Sequence, residues 1–247
     1  AVAPFASLAA ALAAAPPPGA AQVVLRLLPG TYRERVEIPP GASVVLRAAE
    51  PGTASVVWET SKPYEATLAV GFGARAVFSG LRVRHASKSV ANNYAVFSQG
   101  GDVRVEDCDI SSSSGAGVAA EGGTLVLRGG SVHDCPRQGL VLLGPLLGGE
   151  PLNATVCGTA LRQNGNDLGD FDAVRGPFDG VIARNGVEAV FRGVTVEGSG
   201  AAGVAVFEDT NIVLQGCTLS NNKKGPSSAR NGGDLVTEKL VGEASCP

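Results

Sequence analysis

The sequence predicts an all-β fold, a right-handed parallel β-helix with about three strands per coil and a short N-terminal capping helix. Three observations support this prediction. A pattern of the form apolar-x-apolar-x-x-small-x-apolar recurs between residues 76 and 219. The 34 glycines separate short apolar runs, as expected of a chain with frequent turns. Aromatic residues make up only 5% of the chain and methionine is absent, which favours a narrow core of Val, Leu, Ile and Ala.

The repeated pattern sets the length of a coil. Its copies occupy residues 76–83, 103–110, 125–132, 154–161, 189–196 and 212–219. Successive copies end 22 to 35 residues apart, which matches one solenoid coil plus loops of variable length. A second short strand that opens with glycine follows most copies, at Gly117, Gly139, Gly180 and Gly203. Together with early strands near residues 23–57, the pattern predicts about eight coils.

Period-2 alternation within each copy predicts which side chains face the core. One inward row is expected to contain Leu81, Cys108, Gly130, Thr159, Val194 and Cys217. This interpretation treats Cys108 and Cys217 as small buried side chains and not as nucleophiles. The alternative fold is a sandwich of antiparallel hairpins, but Asn-Gly and Asp-Gly turns at hairpin spacing are mostly missing.

The chain is expected to form a single domain with capped ends, because an open coil exposes apolar surface and unpaired strand edges. Residues 1–20 are the predicted N-terminal cap, with an Ala/Leu-rich helix from Pro4 to Ala15. The coils span residues 21–219. Residues 220–247 lose the repeat and are expected to form a polar C-terminal cap or tail, and Cys217 with Cys246 is the preferred disulfide pair.

The composition argues against two classes of partner. With 20 basic and 23 acidic residues, a net charge of −3 and no run of Lys or Arg, the chain is not expected to bind nucleic acid. No apolar stretch reaches the roughly 20 residues of a membrane helix, so no membrane insertion is expected. Five cysteines without a Cys-x-x-Cys pair, and the sequon Asn153-Ala154-Thr155, favour an extracellular, secretory or organellar location.

The opening segment, residues 23–38, resembles a known superfamily. It places Pro29-Gly30-Thr31-Tyr32 directly after an apolar strand, and an Ala/Leu-rich helix precedes it. In these respects it is similar to the start of pectin-methylesterase-like and pectate-lyase-like β-helices. The later coils resemble the general repeat of polysaccharide lyases, epimerases and carbohydrate-binding modules, and of some intracellular scaffold proteins. The resemblance implies a β-helix with a helical cap and favours a carbohydrate-directed function.

The catalytic motifs of these enzymes are missing from the sequence. Pectin methylesterases carry a Gln-Asp pair and an Asp-Phe-x-Phe-Gly segment, which Gly169-Asp170-Phe171-Asp172-Ala173 matches only superficially. The Trp-x-Asp-His and Arg-x-Pro-x-x-Arg elements of pectate lyases are also missing, as is the Asp-Pro-His-Asp motif of mannuronan epimerases. No catalytic residue is therefore carried over from the family.

The candidate site is a ladder of polar side chains that follows the last apolar residue of each copy. Equivalent positions hold Arg84, Ser111, His133, Arg162, Glu197 and Ser220, and the next positions hold His85, Ser112, Asp134, Gln163, Gly198 and Asn221. If the register of the coils holds, these residues form an exterior ladder. The alternative interpretation is that each is a solvated side chain at a corner of the coil.

Residue types within the ladder suggest specific roles. Histidine or arginine beside a carboxylate can bind a uronic acid chain and abstract the proton alpha to its carboxylate. The candidate catalytic residues are His133 or Arg162 as the base, with Asp134 to orient it. The candidate substrate-binding residues are Arg84, Gln163, Arg175 and Glu197.

The longest insertion, residues 164–179, is rich in side-chain oxygens. Asp167, Asp170 and Asp172 resemble the ligand spacing of a calcium loop, and calcium is the one cofactor that the sequence suggests. The insertion matches neither the EF-hand nor the RTX pattern, and Asn, Asp and Gly are ordinary turn residues. A structural loop is therefore the favoured interpretation.

Two functions remain open at the level of sequence. The first is a carbohydrate-directed β-helix, either a polysaccharide-binding module or a divergent lyase- or epimerase-like enzyme that acts on acidic glycans. The alternative is a non-catalytic scaffold that presents one side of the solenoid to a protein partner, which would explain the missing catalytic motifs. Convergence of basic and acidic groups in one groove would favour the enzyme.

Overall fold

The computed structural model describes residues 5–14, 21–89, 91–145, 149, 151–166 and 176–239. Apart from one short helix, the regular structure of these residues consists of β-strands that pair in parallel within three sheets. The chain visits the three sheets in turn, so each coil contributes one strand to each sheet. The fold is a parallel β-helix, as predicted, and the alternative of antiparallel hairpins is wrong.

The three sheets are defined by their strands in chain order. Sheet A contains β1 (Val23–Leu27), β4 (Ser43–Ala48), β7 (Arg75–Ser79), β10 (Asp102–Glu106), β13 (Gly123–Arg128), β16 (Leu152–Cys157), β19 (Glu188–Arg192), β22 (Asn211–Gln215) and β25 (Asp234–Glu238). Sheet B contains β2 (Gly30–Tyr32), β5 (Ala54–Thr60), β8 (Arg82–Ser87), β11 (Asp109–Ser112), β14 (Ser131–His133), β17 (Ala160–Arg162), β20 (Thr195–Glu197) and β23 (Thr218–Ser220). Sheet C contains β3 (Val36–Ile38), β6 (Ala66–Val70), β9 (Tyr94–Gln99), β12 (Ala116–Glu121), β15 (Leu140–Leu143), β18 (Val181–Arg184), β21 (Val204–Phe207) and β24 (Ser227–Arg230).

The described residues complete eight coils of three strands, and β25 adds a ninth strand to sheet A. The register of sheet B follows the sequence repeat. The last apolar residues of the six copies are successive partners across this sheet: Val83, Ile110, Val132, Leu161, Val196 and Leu219. The coil number and the repeat that the sequence predicts are therefore confirmed.

The core is one continuous column of aliphatic side chains inside the coils. Phe78 and Phe191 are the largest fully buried side chains, and the remaining large ones are Leu or Ile. Leu81, Cys108, Thr159 and Val194 of the predicted inward row are buried. Cys217 is only partly buried, and Gly130, which lies in a turn with a φ of 61°, is exposed.

The N-terminal helix is shorter than the predicted span. Helix α1 covers Leu8–Ala13, because the extended Ser7 begins it and its Oγ accepts a hydrogen bond from the N–H of Ala10 at 3.0 Å. The carboxylate of Glu34 accepts the N–H groups of Leu8 and Ala9 at 3.1 and 3.0 Å. Leu8 is buried against the core. The helix is thus tied to the first coil and covers one end of the core.

The coils continue past residue 219, the last residue of the predicted coils. Strand β24 pairs with β21, and β25 pairs with β22. Backbone pairing in a parallel sheet does not require apolar side chains, so a polar segment extends the ladder, and Leu235 still packs against the core. None of the helices among the described residues is long and apolar enough to cross a membrane.

The predicted disulfide between Cys217 and Cys246 is wrong. Cys217 is a free thiol, as are the buried Cys108 and Cys135. Cys157, at the end of β16, is the described cysteine that is disulfide-bonded, and Cys246 lies outside the described residues. Cys217 instead points along the solenoid interior, with its Sγ 3.4 Å from the carbonyl oxygen of Phe191.

Candidate functional site

The first row of the predicted ladder forms a continuous line on the outer face of sheet B. Its members are register partners on six successive coils: Arg84, Ser111, His133, Arg162, Glu197 and Ser220. Successive strands of a sheet lie about 4.8 Å apart, so the row is a regular linear array of polar side chains. The other outward position of each strand lies two residues earlier, as at Arg82 on β8 and Asp109 on β11. We call these two rows together the sheet B polar face.

The second predicted row is not one surface. His85 and Ser112 are buried, because β8 and β11 extend beyond the first row and the next residue then points inward. In later coils the strand ends at the first row. Asp134, Gln163 and Asn221 therefore lie in turns, with φ values of 52°, 53° and 55°. Only the later members of this row reach the exterior.

Two ladder residues, Arg84 and His133, contact Asp109, which lies on the strand between theirs. Arg84 donates from Nη2 to Asp109 Oδ2 at 2.6 Å and from Nη1 to the Asp109 carbonyl oxygen at 2.8 Å. His133 Nε2 lies 2.5 Å from Asp109 Oδ1, and His133 Nδ1 lies 2.7 Å from Asp134 Oδ2. The predicted neighbours His133 and Asp134 are thus in contact, and Arg84 joins them through Asp109.

The electrostatics of this cluster favour an ionised Asp109. Partial burial alone would raise its pKa, but the hydrogen bonds and charges of Arg84 and His133 outweigh burial and lower that pKa below its usual value. An ionised carboxylate accepts but does not donate. The contact of His133 Nε2 with Asp109 is therefore a hydrogen bond only when Nε2 carries the proton.

Sequence reasoning missed Asp109, although the pattern contains the signal that identifies it. The predicted ladder used only positions after the last apolar residue of each copy. Period-2 alternation puts the residue before Ile110 on the same face as the residue after it, so Asp109 and Ser111 point outward together. Asp109 is then the diagonal neighbour of Arg84 on one side and of His133 on the other.

The other predicted site residues lie outside this cluster. Arg162 is exposed and pairs in register with His133 and Glu197. Glu197 Oε1 accepts a hydrogen bond from Asn221 at 3.2 Å. Gln163 lies in the turn that follows Arg162 and is exposed.

The predicted calcium ligands Asp167, Asp170 and Asp172, and the predicted substrate-binding Arg175, lie outside the described residues. Within the part of the chain that the structure describes, no group of three or more His, Cys, Asp and Glu side chains could hold a metal ion.

A groove of about 480 Å³ adjoins the cluster on the same face. Ala86 lines it and lies two residues after Arg84 on β8, so the groove begins where the polar face ends. Glu59, Lys88, Thr60, Ser87 and Ser113 also line it. The groove therefore offers several hydroxyl groups, one ammonium and one carboxylate at the end of β8, beyond Arg84.

A buried polar cluster involves His85, which precedes the groove residue Ala86 on β8. Thr67 Oγ1 donates to the carbonyl oxygen of Arg84 at 2.9 Å, so it accepts from Nδ1 of His85, which is 3.1 Å away. Burial lowers the pKa of His85 from its usual 6.5 to about 4, although Glu65 acts in the opposite direction. His85 is thus a neutral, structural side chain at neutral pH.

Glu65 connects this buried cluster to the groove. Its carboxylate accepts hydrogen bonds from Trp58 Nε1 at 3.0 Å and from Arg35 Nη1 at 3.3 Å. Burial would raise the pKa of Glu65, but hydrogen bonds from Thr60 and Trp58 and the charges of Arg35 and Lys62 lower it. An ionised Glu65 therefore fixes the corner of the coil that carries the groove.

Comparison with known proteins bears on the fold. No protein-family model matches the sequence, and no curated protein matches it. Among solved structures, the pectate lyase Pel9A matches with a TM-score of 0.50 and 16% identity, over 96% of this chain and 73% of the lyase. This likeness supports the parallel β-helix and, at such low identity, establishes the fold alone.

Two further solved structures are similar at lower scores. A pectin methylesterase from Yersinia enterocolitica has a TM-score of 0.45 and 13% identity, over 96% of this chain and 94% of that one. The A-module of the Azotobacter vinelandii mannuronan C-5 epimerase AlgE4 has a TM-score of 0.44 and 13% identity, over 95% of this chain and 90% of that one.

Proposed function

We propose that this β-helix binds a polysaccharide, with acidic glycans as the favoured class, along the polar face of sheet B. The observation that carries the proposal is the unbroken row of polar side chains on six successive coils. A linear array with a regular spacing suits a linear polymer, whose repeated units can contact one coil after another. A compact ligand would need a deeper pocket than this face has.

The charges on this face favour a ligand with carboxylates. Arg82 and Arg162 are exposed on either side of the Asp109 cluster, and among the described residues neither forms a hydrogen bond or ion pair through its side chain. Guanidinium groups bind carboxylates in a bidentate manner. Arg84 and His133 are held by Asp109, so they contribute a fixed polar surface between the two open arginines.

The groove next to Arg84 extends the proposed surface. Thr60, Ser87 and Ser113 provide hydroxyl groups, and Lys88 provides a second kind of cation. Such groups form hydrogen bonds with sugar hydroxyls and carboxylates. The groove therefore supports a longer binding path, from the end of sheet B across the polar face.

The geometry favours binding over proton abstraction. A general base needs a free lone pair within reach of the substrate proton. Both ring nitrogens of His133 face carboxylates, at 2.5 and 2.7 Å, so His133 has no lone pair directed at solvent. Arg162 then remains the one predicted base on the open face. A divergent lyase- or epimerase-like enzyme is accordingly the second candidate.

Location and metal dependence are part of the same proposal. A disulfide at Cys157 suits an oxidising environment, which supports an extracellular, secretory or organellar location. The polysaccharide-acting enzymes that share this fold, the pectate lyase among them, are consistent with a glycan ligand. Calcium remains a proposed cofactor, through the candidate ligands in the 164–179 insertion.

A glycan-array screen of the purified protein, with and without calcium, tests the proposal. We expect retention on acidic glycans and not on neutral ones. An assay for the ultraviolet absorbance of unsaturated products on each captured glycan then separates the candidates, since a lyase forms such products and a binding module does not. Failure to bind any glycan in either condition would overturn the proposal and favour the protein-interaction scaffold.

A further inference from the structure

The outer face of sheet A carries a second ordered row, and this one is apolar. The middle outward position of its nine strands holds, from β1 to β25, Val24, Val45, Val77, Arg104, Val126, Thr155, Val190, Val213 and Val236. These valines lie outside the interior core cluster, and Val126 at the centre of the row is only 5% exposed. Val24 and Val236, at the two ends, are 52% and 41% exposed. We call this line the valine row.

The valine row reads the same from both ends. Its centre is Val126 on β13, the polar residues Arg104 and Thr155 flank the centre, and three valines lie beyond each of them. A two-fold axis parallel to β13 would therefore place valine over valine at every position except one pair. At that pair Arg104 of one copy would face Thr155 of the other.

We propose that sheet A is the interface of a homodimer, in which two copies pack face to face across this axis with their solenoids antiparallel. A two-fold interface requires a surface that is complementary to itself. The symmetric valine row meets this requirement for packing. The partner is therefore a second copy of this chain, and the interface is independent of the glycan face on sheet B.

Two pairs of charges beside the valine row are complementary in the same arrangement, whereas Arg128, on the central strand, would face Arg128 of the other copy. The axis exchanges β1 with β25, so Arg26 of one copy faces Glu238 of the other. It also exchanges β7 with β19, so Arg75 faces Glu188. Each pair occurs twice in the dimer, and opposite charges at the rim of an apolar interface set the orientation.

The other two-fold arrangement, with parallel solenoids, is disfavoured by the charges of β10. It would place each strand over its own copy with the strand direction reversed. Arg104 would then face Arg104, and Asp102 would face Glu106 of the same strand in the other copy. Like charges directly opposite each other disfavour such an arrangement.

The size of the face suits a modest dimer. Nine strands about 4.8 Å apart and about five residues long present roughly 600 Å² per copy, close to the lower range of specific interfaces. Two shallow grooves, of about 370 and 380 Å³, lie along the row over β7 to β13 and over β16 to β22. The axis exchanges β7 with β19 and β10 with β16, so the groove of one copy overlaps the other groove on its partner.

Sedimentation velocity over a concentration series tests the dimer. We expect the wild-type chain to reach twice its monomer mass and Val190→Lys to raise the dissociation constant at least about tenfold, because the ammonium would face Val77 of the second copy. Thr218→Lys, at an exposed position of sheet B, is the matched control and should leave the dimer unchanged. Circular dichroism verifies that each variant is folded. A chain that stays monomeric at every concentration would overturn the proposal.

A charge exchange tests the antiparallel orientation. Arg26→Glu and Glu238→Arg should each weaken the dimer, and the double variant should recover it, because the exchanged charges again face each other in both copies. The two residues lie on the first and last strands of sheet A, so recovery cannot arise within one chain. A dimer that Val190→Lys weakens but that the double variant does not restore would overturn the antiparallel arrangement. A dimer that Val190→Lys leaves intact would overturn the interface.

Discussion

Asp109 holds Arg84 and His133 together across three coils, with its two carboxylate oxygens 2.6 Å from Arg84 Nη2 and 2.5 Å from His133 Nε2. The strand that carries Asp109 lies between the strands of its two partners. One carboxylate therefore contacts side chains from the coils on both sides. This arrangement holds Arg84 and His133 in place on the polar face of sheet B, which would reduce the ordering cost of the proposed glycan binding.

Removal of the Asp109 charge should loosen this arrangement. We expect Asp109→Asn to lower the free energy of unfolding by about 1 kcal/mol, because the side chain is partly exposed and solvent screens the lost contacts. In a domain of this size that corresponds to a fall in Tm of about 3 °C. Thermal unfolding measures this fall in Tm. The control is Glu208→Gln, which removes the charge of an exposed acidic residue in a turn. Equal values of Tm for the two variants would contradict the role of Asp109.

Acid should destabilise the protein through His85. The pKa of His85 is about 4 in the folded chain and about 6.5 when unfolded, so between these values the unfolded state binds more protons. Stability should therefore fall as pH decreases from 6.5 to 4, by roughly 3 kcal/mol in total. Urea unfolding at a series of pH values measures the slope. His85→Asn should flatten the dependence of stability on pH, and His133→Gln should leave it unchanged. If His133→Gln flattened it instead, the assignment to His85 would be contradicted.

The free cysteines should differ in reactivity. Burial raises the pKa of Cys108 to about 11 and that of Cys135 to about 12, so neither forms a thiolate at neutral pH. Burial also raises the pKa of Cys217, but this thiol is only partly buried. We expect iodoacetamide to modify Cys217 first in the native protein, as mapped by mass spectrometry. Modification of Cys135 at the same rate as Cys217 would show that the coil opens there.

The glycines at the start of four sheet C strands, Gly117, Gly139, Gly180 and Gly203, should resist substitution. A Cβ at Gly117 would lie 2.2 Å from the side chain of Val132 and 2.6 Å from the carbonyl oxygen of Gly139. Gly117→Ala should therefore cost several kcal/mol of stability, in the range of overpacked cores. Gly158 has a φ of 59° and no atom within 4 Å of its Cβ. Gly158→Ala should cost only about 1 kcal/mol, so a similar loss in both variants would contradict the steric account.

The repeat made most of the fold predictable, because register in a parallel solenoid follows from inward apolar positions. Val83 to Leu219 are paired as the spacing predicts. The last coil was not predictable from the repeat, since β24 and β25 are held by backbone pairing and carry few apolar side chains. The helix was overestimated because an Ala-rich segment has high helical propensity along its whole length, whereas Ser7 sets the start.

The candidate site was predictable in part. The line from Arg84 to Ser220 follows from register alone. Whether a second-row side chain is buried or exposed depends on the length of its strand. That length differs between β8 and β14 and is not encoded in the repeat. Asp109 required both outward positions of each strand to be considered together. The disulfide of Cys157 could not be found from spacing, because residues far apart in sequence become neighbours only in the folded chain.

Isothermal titration of an acidic polysaccharide, polygalacturonate or alginate, into the protein and its arginine variants tests the central proposal most directly. We expect the wild-type chain to bind at least one of them. Arg82→Ala and Arg162→Ala should each weaken that binding about tenfold, through the loss of a charged hydrogen bond. The matched control Arg184→Ala, at an exposed position of sheet C, should bind as the wild type does. Binding that falls equally in all three variants, or that is absent in the wild type, would contradict a glycan site on sheet B.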